Sequence, residues 1–204
     1  MRKTVDGKIR NKERTKRKLV EAVGAVVAAE GYAKLSINKV ARQALVDKKL
    51  VYRYFGGFQN LIDCYLKTID FWPRFYDILL NEELYNSEKK PLLNSLTELL
   101  TYLSNSTEQQ NILIQELNDK AKRFQNLQYE RAFILQEFLE KVSPTLNNKE
   151  NDLQACYAIL LAGIYYLSIH SETTNREFCG INIRTQEDFQ RINSVVHKLI
   201  DSLP

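Results

Sequence analysis

The side chains best suited to chemistry lie in one short run near the N-terminus, where cations and aromatic hydroxyls surround a few apolar residues. Lysine and arginine can contact DNA phosphates or the O6 and N7 acceptors of guanine, and tyrosine hydroxyls can donate to phosphates. Ser36 begins a predicted helix, whose free amide groups suit a phosphate. We therefore predict a DNA-contacting surface formed by Ser36, Lys48, Lys49, Leu50, Tyr52, Arg53 and Tyr54.

Other kinds of site find little support among the remaining residues. There are only two histidines, His170 and His197, and no Ser/His/Asp spacing, paired metal carboxylates or phosphate-binding glycine loop stands out. The three cysteines show no CxxC or Cys/His spacing, which favours free thiols in a reducing cytoplasm. We expect no catalytic residues, no metal and no cofactor.

The charge is divided unevenly along the chain. Residues 1–61 carry 15 Lys and Arg against 5 Asp and Glu, whereas residues 62–204 carry 14 against 20. A basic segment on an acidic protein suits phosphate binding, because each neutralised phosphate releases counterions. A solvated basic tail is the alternative, since nine of the fifteen cations precede residue 19.

Three short helices must position the predicted DNA-contacting residues. Apolar residues at helical spacing predict a first helix over 12–30, ended by Gly31. Ser36 can cap a second helix and Asp47 a third, which Gly56 would end. A tight connection between the second and third helices is typical of a helix-turn-helix unit.

The remainder of the chain is also predicted to be helical. Only 7 glycines and 4 prolines are present, and Pro73 is expected to end or kink the fourth helix. We predict an all-α protein with two domains, a DNA-binding domain over 1–58 with a flexible basic arm at 1–10, and a larger ligand-binding and dimerisation domain over 59–204. The later helices are predicted over 59–72, 74–85, 92–104, 108–118, 122–142, 153–171 and 186–201.

The segment 153–171 contains no charged residue, yet we expect it not to cross a membrane. It is near the minimum length and includes Gln154, Ser168 and His170. A helix that is apolar on nearly all sides also arises where one face packs in its own core and another against a second subunit. An intramolecular core is the alternative. The residues predicted for dimerisation are Leu160, Ile164, Leu167, Phe189, Ile192, Val196 and Leu199.

Aromatic residues are frequent in the C-terminal part, where residues 62–204 hold 8 Tyr, 7 Phe and the only Trp. Rings with a few hydroxyl groups can line a cavity for a small organic molecule, although each ring could equally be plain core. The candidate ligand-binding residues are Phe71, Trp72, Phe75, Tyr102, Phe124, Tyr157 and Tyr165.

The stretch from Leu19 to Leu61 resembles the N-terminal domain of TetR-family (tetracycline-repressor-like) regulators. The matching features are Gly31-Tyr32, Ser36-Ile37, Val40-Ala41 and the run from Leu50 to Phe55. The resemblance implies a cytoplasmic homodimeric repressor that binds a pseudo-palindromic operator in double-stranded DNA and is released by a small organic ligand.

Two positions depart from the family pattern. The turn between helices 2 and 3 usually holds glycine, but this chain has Leu45, which predicts either a strained left-handed residue or a different turn. The lysine common near the start of helix 4 is replaced by Phe58, which removes one expected phosphate contact.

Alternative functions remain open from sequence. The chain could be a helical small-molecule-binding protein or enzyme with a basic docking segment, or a regulator controlled by a protein partner. The residues do not distinguish a repressor from an activator.

Overall fold

A computed structural model describes residues 5–79, 89–118, 124–142 and 153–202. Within these ranges the protein consists of α-helices joined by turns and loops, with one short 3-10 helix, Tyr32–Lys34, and an isolated antiparallel bridge between Phe178 and Ile181. The predicted all-α class is confirmed. The helices are α1 (Val5–Glu30), α2 (Ile37–Gln43), α3 (Lys49–Phe55), α4 (Phe58–Ile69), α5 (Phe71–Leu79), α6 (Lys90–Ser104), α7 (Thr107–Leu117), α8 (Gln125–Val142), α9 (Leu153–Thr174) and α10 (Gln186–Asp201).

The described residues pack as two units. The first, called the head, contains residues 5–69 and 124–127, and the second, called the body, contains 70–79, 89–118, 128–142 and 153–202. The head therefore extends through α4 to Ile69, whereas the sequence suggested a boundary at residue 58.

The head is built on one apolar residue from each of its helices. Leu19 of α1, Val40 of α2, Val51 of α3 and Leu61 of α4 are all fully buried. α1 already begins at Val5, so the expected flexible arm is helical from that residue onward.

Local signals end and begin these helices largely as predicted. Gly31, at φ 80°, donates its N–H to the Val27 carbonyl and closes α1. The Asp47 carboxylate accepts the Lys49 N–H at 2.8 Å at the start of α3. Gly56, at φ 79°, closes α3. Ser36 occupies the N-cap position of α2, but its side chain makes no capping hydrogen bond, contrary to expectation.

The body encloses a separate apolar core. Leucines of α6 pack there with one face of α9 and with Val196 and Ile200 of α10. Pro73 neither ends nor kinks α4, because that helix stops at Ile69 and Pro73 lies in the first turn of α5. A helix tolerates proline there, since the first amides lack intrahelical partners. The predicted helix over 74–85 partly falls outside the described residues.

α9 is long and apolar enough to cross a membrane, by length and composition alone, among the helices described. Its buried face consists of Leu153, Tyr157, Leu161, Ile164, Ser168 and Ser171. This spacing is that of a helix packed on one side into the body core.

Leu45 adopts the left-handed conformation between α2 and α3. Its φ is 56°, and its side chain is 88% exposed. The first of the two alternatives for this turn is therefore realised, because the turn keeps the left-handed geometry and places leucine in it.

We predict that Leu45→Gly leaves the free energy of unfolding unchanged or raises it by about 1 kcal/mol. The left-handed conformation costs an L-residue roughly 1–2 kcal/mol, which offsets the entropic cost of glycine, and almost no burial is lost. Urea unfolding measures the difference. The matched control is Leu117→Gly, an exposed leucine at ordinary φ in α7, which should lose about 0.5–1 kcal/mol. A loss above about 2 kcal/mol for Leu45→Gly would instead indicate a packing role.

Candidate functional site

α3 presents a polar, cationic face to solvent and an apolar face to the head. Val51 is fully buried, whereas Lys49, Arg53 and Tyr52 are exposed, Tyr52 by 59%. Because Val51 lies between these residues in sequence, its burial fixes the rotation of α3 about its axis. The exposed face therefore carries two cations and a phenol, which together suit contacts with phosphates and base edges.

The residues flanking α3 complete this face. Lys48 is exposed, and its Nζ donates to the Asn38 Oδ1 of α2 at 3.5 Å. Ser36 and Leu50 are half-buried. Phe58 begins α4 as a half-buried residue and supplies no cation at that position. The cationic surface of the helix-turn-helix thus comes from α3 and the turn before it.

Tyr54 is half-buried and lies beside two cations. The Lys12 Nζ of α1 is 5.9 Å from the centroid of its ring, and the Arg53 Cζ is 6.0 Å from the same centroid. Cations within about 6 Å of an aromatic ring are attracted by its quadrupole. One cation of α1 and one cation of α3 therefore lie beside the ring of Tyr54.

The body contains a connected set of aromatic rings. Phe71 stacks on Phe75 with ring centroids 5.2 Å apart, and Trp72 meets both rings edge-on. Phe138 joins Phe75 to Tyr157 at centroid distances of 5.9 and 5.7 Å. These rings form one continuous aromatic cluster inside the body.

Two hydroxyl groups give this cluster polar character. The Trp72 Nε1 donates to the Tyr165 Oη at 2.6 Å, and the Ser95 Oγ and Tyr157 Oη lie 2.7 Å apart. Burial raises the pKa of Tyr165 to about 12 and also raises the pKa of Tyr157, so both phenols are neutral at physiological pH. The cluster can therefore offer hydrogen bonds without phenolate charge.

A buried ion triad lies next to Tyr165. The Arg131 Nε contacts both carboxylate oxygens of Asp70 at 3.1 Å, its Nη2 contacts Asp70 Oδ1 at 2.6 Å, and its Nη1 donates to Glu116 Oε2 at 2.5 Å. Burial would lower the pKa of Arg131, but the charge and hydrogen bonds of Asp70 outweigh it, so the pKa is raised. Arg131 stays charged inside the body.

Both α9 and α10 carry exposed apolar residues. On α9 these include Ile159, which is 71% exposed, and Tyr166, and on α10 they include Val195 and Leu199. Small exposed residues of α9 lie near Ile159 and Tyr166 in sequence. These are Ala155, Ala158, Ala162 and Gly163.

Residues 19–63 match the model of the bacterial regulatory proteins of the tetR family. The matched segment includes the whole helix-turn-helix and its exposed α3 face. This segment of the chain is therefore a DNA-binding domain of the tetR-family type.

Solved structures share the fold of this chain along nearly its whole length. A chain described as a TetR-family transcriptional regulator from Rhodococcus sp. has a TM-score of 0.66 at 19% identity, covering 93% of this chain and 98% of that one. The fatty acid degradation regulator FadR from Bacillus halodurans gives 0.63 at 14% identity, with coverages of 93% and 96%. FadR from Bacillus subtilis, in complex with stearoyl-CoA, gives 0.61 at 16% identity, with coverages of 92% and 99%. Curated protein sequences contain no significant match.

The predicted ligand-binding residues do not all lie in the same unit of the structure. Phe71, Trp72, Phe75, Tyr102, Tyr157 and Tyr165 lie in or against the body core. Phe124 instead belongs to the head, where its ring centroid lies 4.8 Å from that of Tyr32. Phe138 takes a place in the cluster that sequence reasoning missed, although its helical spacing from Leu135 marked it as apolar core.

The predicted dimerisation residues also separate. Ile164 and Val196 are buried in the body, and Leu199 is exposed. The remaining four, which are partly buried, are Leu160, Leu167, Phe189 and Ile192. The exposed surface of α9 therefore includes its small residues rather than Ile164.

Lys12, whose Nζ lies beside the Tyr54 ring, was not among the predicted DNA-contacting residues, although it lies seven residues before Leu19, on the same side of α1.

Proposed function

We propose that this regulator is a homodimeric repressor acting in the cytoplasm, which binds a pseudo-palindromic operator and is released by a small organic ligand. One observation carries the DNA-binding part of the proposal, namely the outward face of α3, where Lys49, Tyr52 and Arg53 are exposed while Val51 anchors the helix. A recognition helix needs this division, since one side must be held rigidly while the other enters the major groove.

The roles within the DNA surface follow from side-chain chemistry. Lys48 and Lys49 precede or begin α3, where they can meet phosphates or guanine acceptors. Tyr52 offers an exposed ring and hydroxyl for the sugar-phosphate backbone. Ser36, at the start of α2, has a hydroxyl that is not used in capping.

We predict that Lys49→Ala weakens operator binding and lowers the salt slope of log Kd by about 1, the value for one phosphate contact. Tyr52→Ala should also weaken binding, while the thermal unfolding of the head stays unchanged because Tyr52 is exposed. Fluorescence anisotropy over a range of NaCl concentrations measures both. Lys141→Ala, an exposed lysine of α8, is the charge-matched control. Normal operator binding by folded Lys49→Ala and Tyr52→Ala variants would place the DNA surface elsewhere.

The exposed face of α9 and α10 supports the homodimer. In a monomer, apolar surface would remain exposed to water at Ile159, Val195 and Leu199. Alanines and a glycine between them let two helices approach closely, and a two-fold axis brings the same face of each subunit together. A two-fold protein in turn fits an operator with two related half-sites.

We predict that Ala162→Arg converts the dimer to monomers, because the new cation would be buried without a partner where the two helices meet. The control is Ala132→Arg on the exposed side of α8, which should leave the dimer intact. Sedimentation velocity separates the two forms, and operator affinity should fall together with dimerisation. A stable Ala162→Arg dimer would move the interface to another surface.

The aromatic cluster supports the ligand-binding part of the proposal. It combines wide apolar rings with the hydroxyls of Tyr157 and Tyr165, which is the composition of a site for a small organic molecule. The similar FadR structure contains stearoyl-CoA. At 16% identity that likeness concerns the fold alone, so the ligand of this regulator is proposed only as an apolar organic molecule with hydrogen-bonding groups.

We predict that a compound entering this cluster shifts the emission of Trp72, the only tryptophan, and weakens operator binding. The ligand must bind one of two conformations of the protein more tightly than the other. Thermodynamic linkage then requires the operator to weaken ligand binding by the same factor as the ligand weakens operator binding. A compound screen by Trp72 emission identifies binders, and operator titration with and without each binder measures the coupling. Equal operator affinity in both titrations would refute ligand control through this cluster.

A further inference from the structure

The ring of Tyr54 holds two cations that come from different helices. Lys12 belongs to α1 and Arg53 to α3, and their charged groups lie 5.9 and 6.0 Å from the ring centroid. Both side chains are exposed, and Tyr54 itself is half-buried against the head. Two like charges from different helices thus lie beside one aromatic ring on the surface of the head.

No carboxylate neutralises this pair in the part of the chain that the structure describes. Other cations of the head do form ion pairs, since Lys16 contacts Glu13 and Arg17 contacts Glu21. Two cations beside one ring, with no carboxylate partner, attract an anion to this part of the surface. A phosphate is the anion best suited to this surface, because the ammonium group of Lys12 and the guanidinium group of Arg53 can both bind it.

The periodicity of α1 explains why Lys12 faces α3. Lys12 precedes Leu19 by seven residues and Val23 by eleven, so all three lie along one side of the helix. Leu19 and Val23 are fully buried in the head, and α1 packs against α3. The turns of α1 before Leu19 therefore continue the buried side beyond the core and bring Lys12 beside the DNA-contacting helix.

We propose that Lys12, Arg53 and the ring of Tyr54 form a second phosphate-binding site for the DNA backbone. It lies apart from the contacts expected of Lys48, Lys49 and Tyr52. Tyr54 acts here as a positioning residue, because its ring orients Lys12 whereas the two cations contact the phosphate. The inference rests on the proposed DNA-binding function and adds α1 to the DNA surface. Because phosphates carry no sequence information, this site should strengthen binding to every duplex equally.

The test compares Lys12→Gln with Arg14→Gln in the full-length protein. Both variants remove one positive charge from α1 and keep a long side chain, but Arg14 is exposed on another side of the helix. Lys12→Gln should weaken binding to operator and to unrelated duplex DNA by the same factor, roughly threefold to tenfold, and lower the salt slope by about 1. Arg14→Gln should change both affinities by less than about twofold. Equal effects of the two variants would overturn the site.

A second pair of variants tests the role of the Tyr54 ring. Tyr54→Phe keeps the ring and should retain the contribution of Lys12, whereas Tyr54→Leu removes the ring and should lose it. In a double-mutant cycle, Lys12→Gln should then weaken Tyr54→Leu less than it weakens the wild type. Circular dichroism and thermal unfolding show that each head is folded. Additive effects of Lys12→Gln and Tyr54→Leu would reject ring positioning.

Failure of the proposed function gives a different result from failure of this site. If Lys49→Ala and Tyr52→Ala bind operator as the wild type does, then α3 is not the recognition helix. If those two variants lose binding while Lys12→Gln behaves as Arg14→Gln, only the second phosphate site is refuted.

Discussion

Arg131 carries a full positive charge into the body with only 8% of its surface exposed, and the surrounding helices are arranged to compensate it. Asp70, just before α5, contacts its guanidinium through both carboxylate oxygens, and Glu116 of α7 contacts the other side. Removing one partner of such a buried pair typically costs about 3–5 kcal/mol. The buried charge therefore holds together the three segments that carry Asp70, Glu116 and Arg131. It also positions the aromatic cluster, because Trp72 follows Asp70 by two residues and donates a hydrogen bond to Tyr165.

Local sequence signals predicted the head better than they predicted the body. Gly31, Asp47 and Gly56 each act over one turn of chain, so their effect can be read from neighbouring residues. The ion triad joins residues 61 positions apart in sequence, and no periodic pattern announces such a pair. Pro73 is a local example of the same difficulty. A proline indicates that a helix is interrupted nearby, but it does not show whether the next helix begins before or after it.

The candidate site was predictable in part for a related reason. Apolar periodicity correctly placed Val51 inward and left Tyr52 exposed on α3. On α9 almost every residue is apolar or small, so periodicity could not distinguish the side facing the body from the side left open. Ile164 consequently lies in the core, while Ile159 is exposed. Lys12 was not predicted because charge alone identifies a basic segment, whereas the contact of Lys12 with the ring of Tyr54 joins two different helices.

The head is not continuous in sequence. Its Tyr32 ring packs on Phe124, and the Asp63 carboxylate accepts a hydrogen bond from Asn126 at 2.7 Å. Since a ribosome releases the chain from its N-terminus, α1 to α4 emerge well before these two partners. The packing of the head on residues 124 and 126 can therefore form only after much of the body has been synthesised. A fragment ending at Ile69 would likewise keep every residue of the helix-turn-helix and still lack the ring that covers Tyr32.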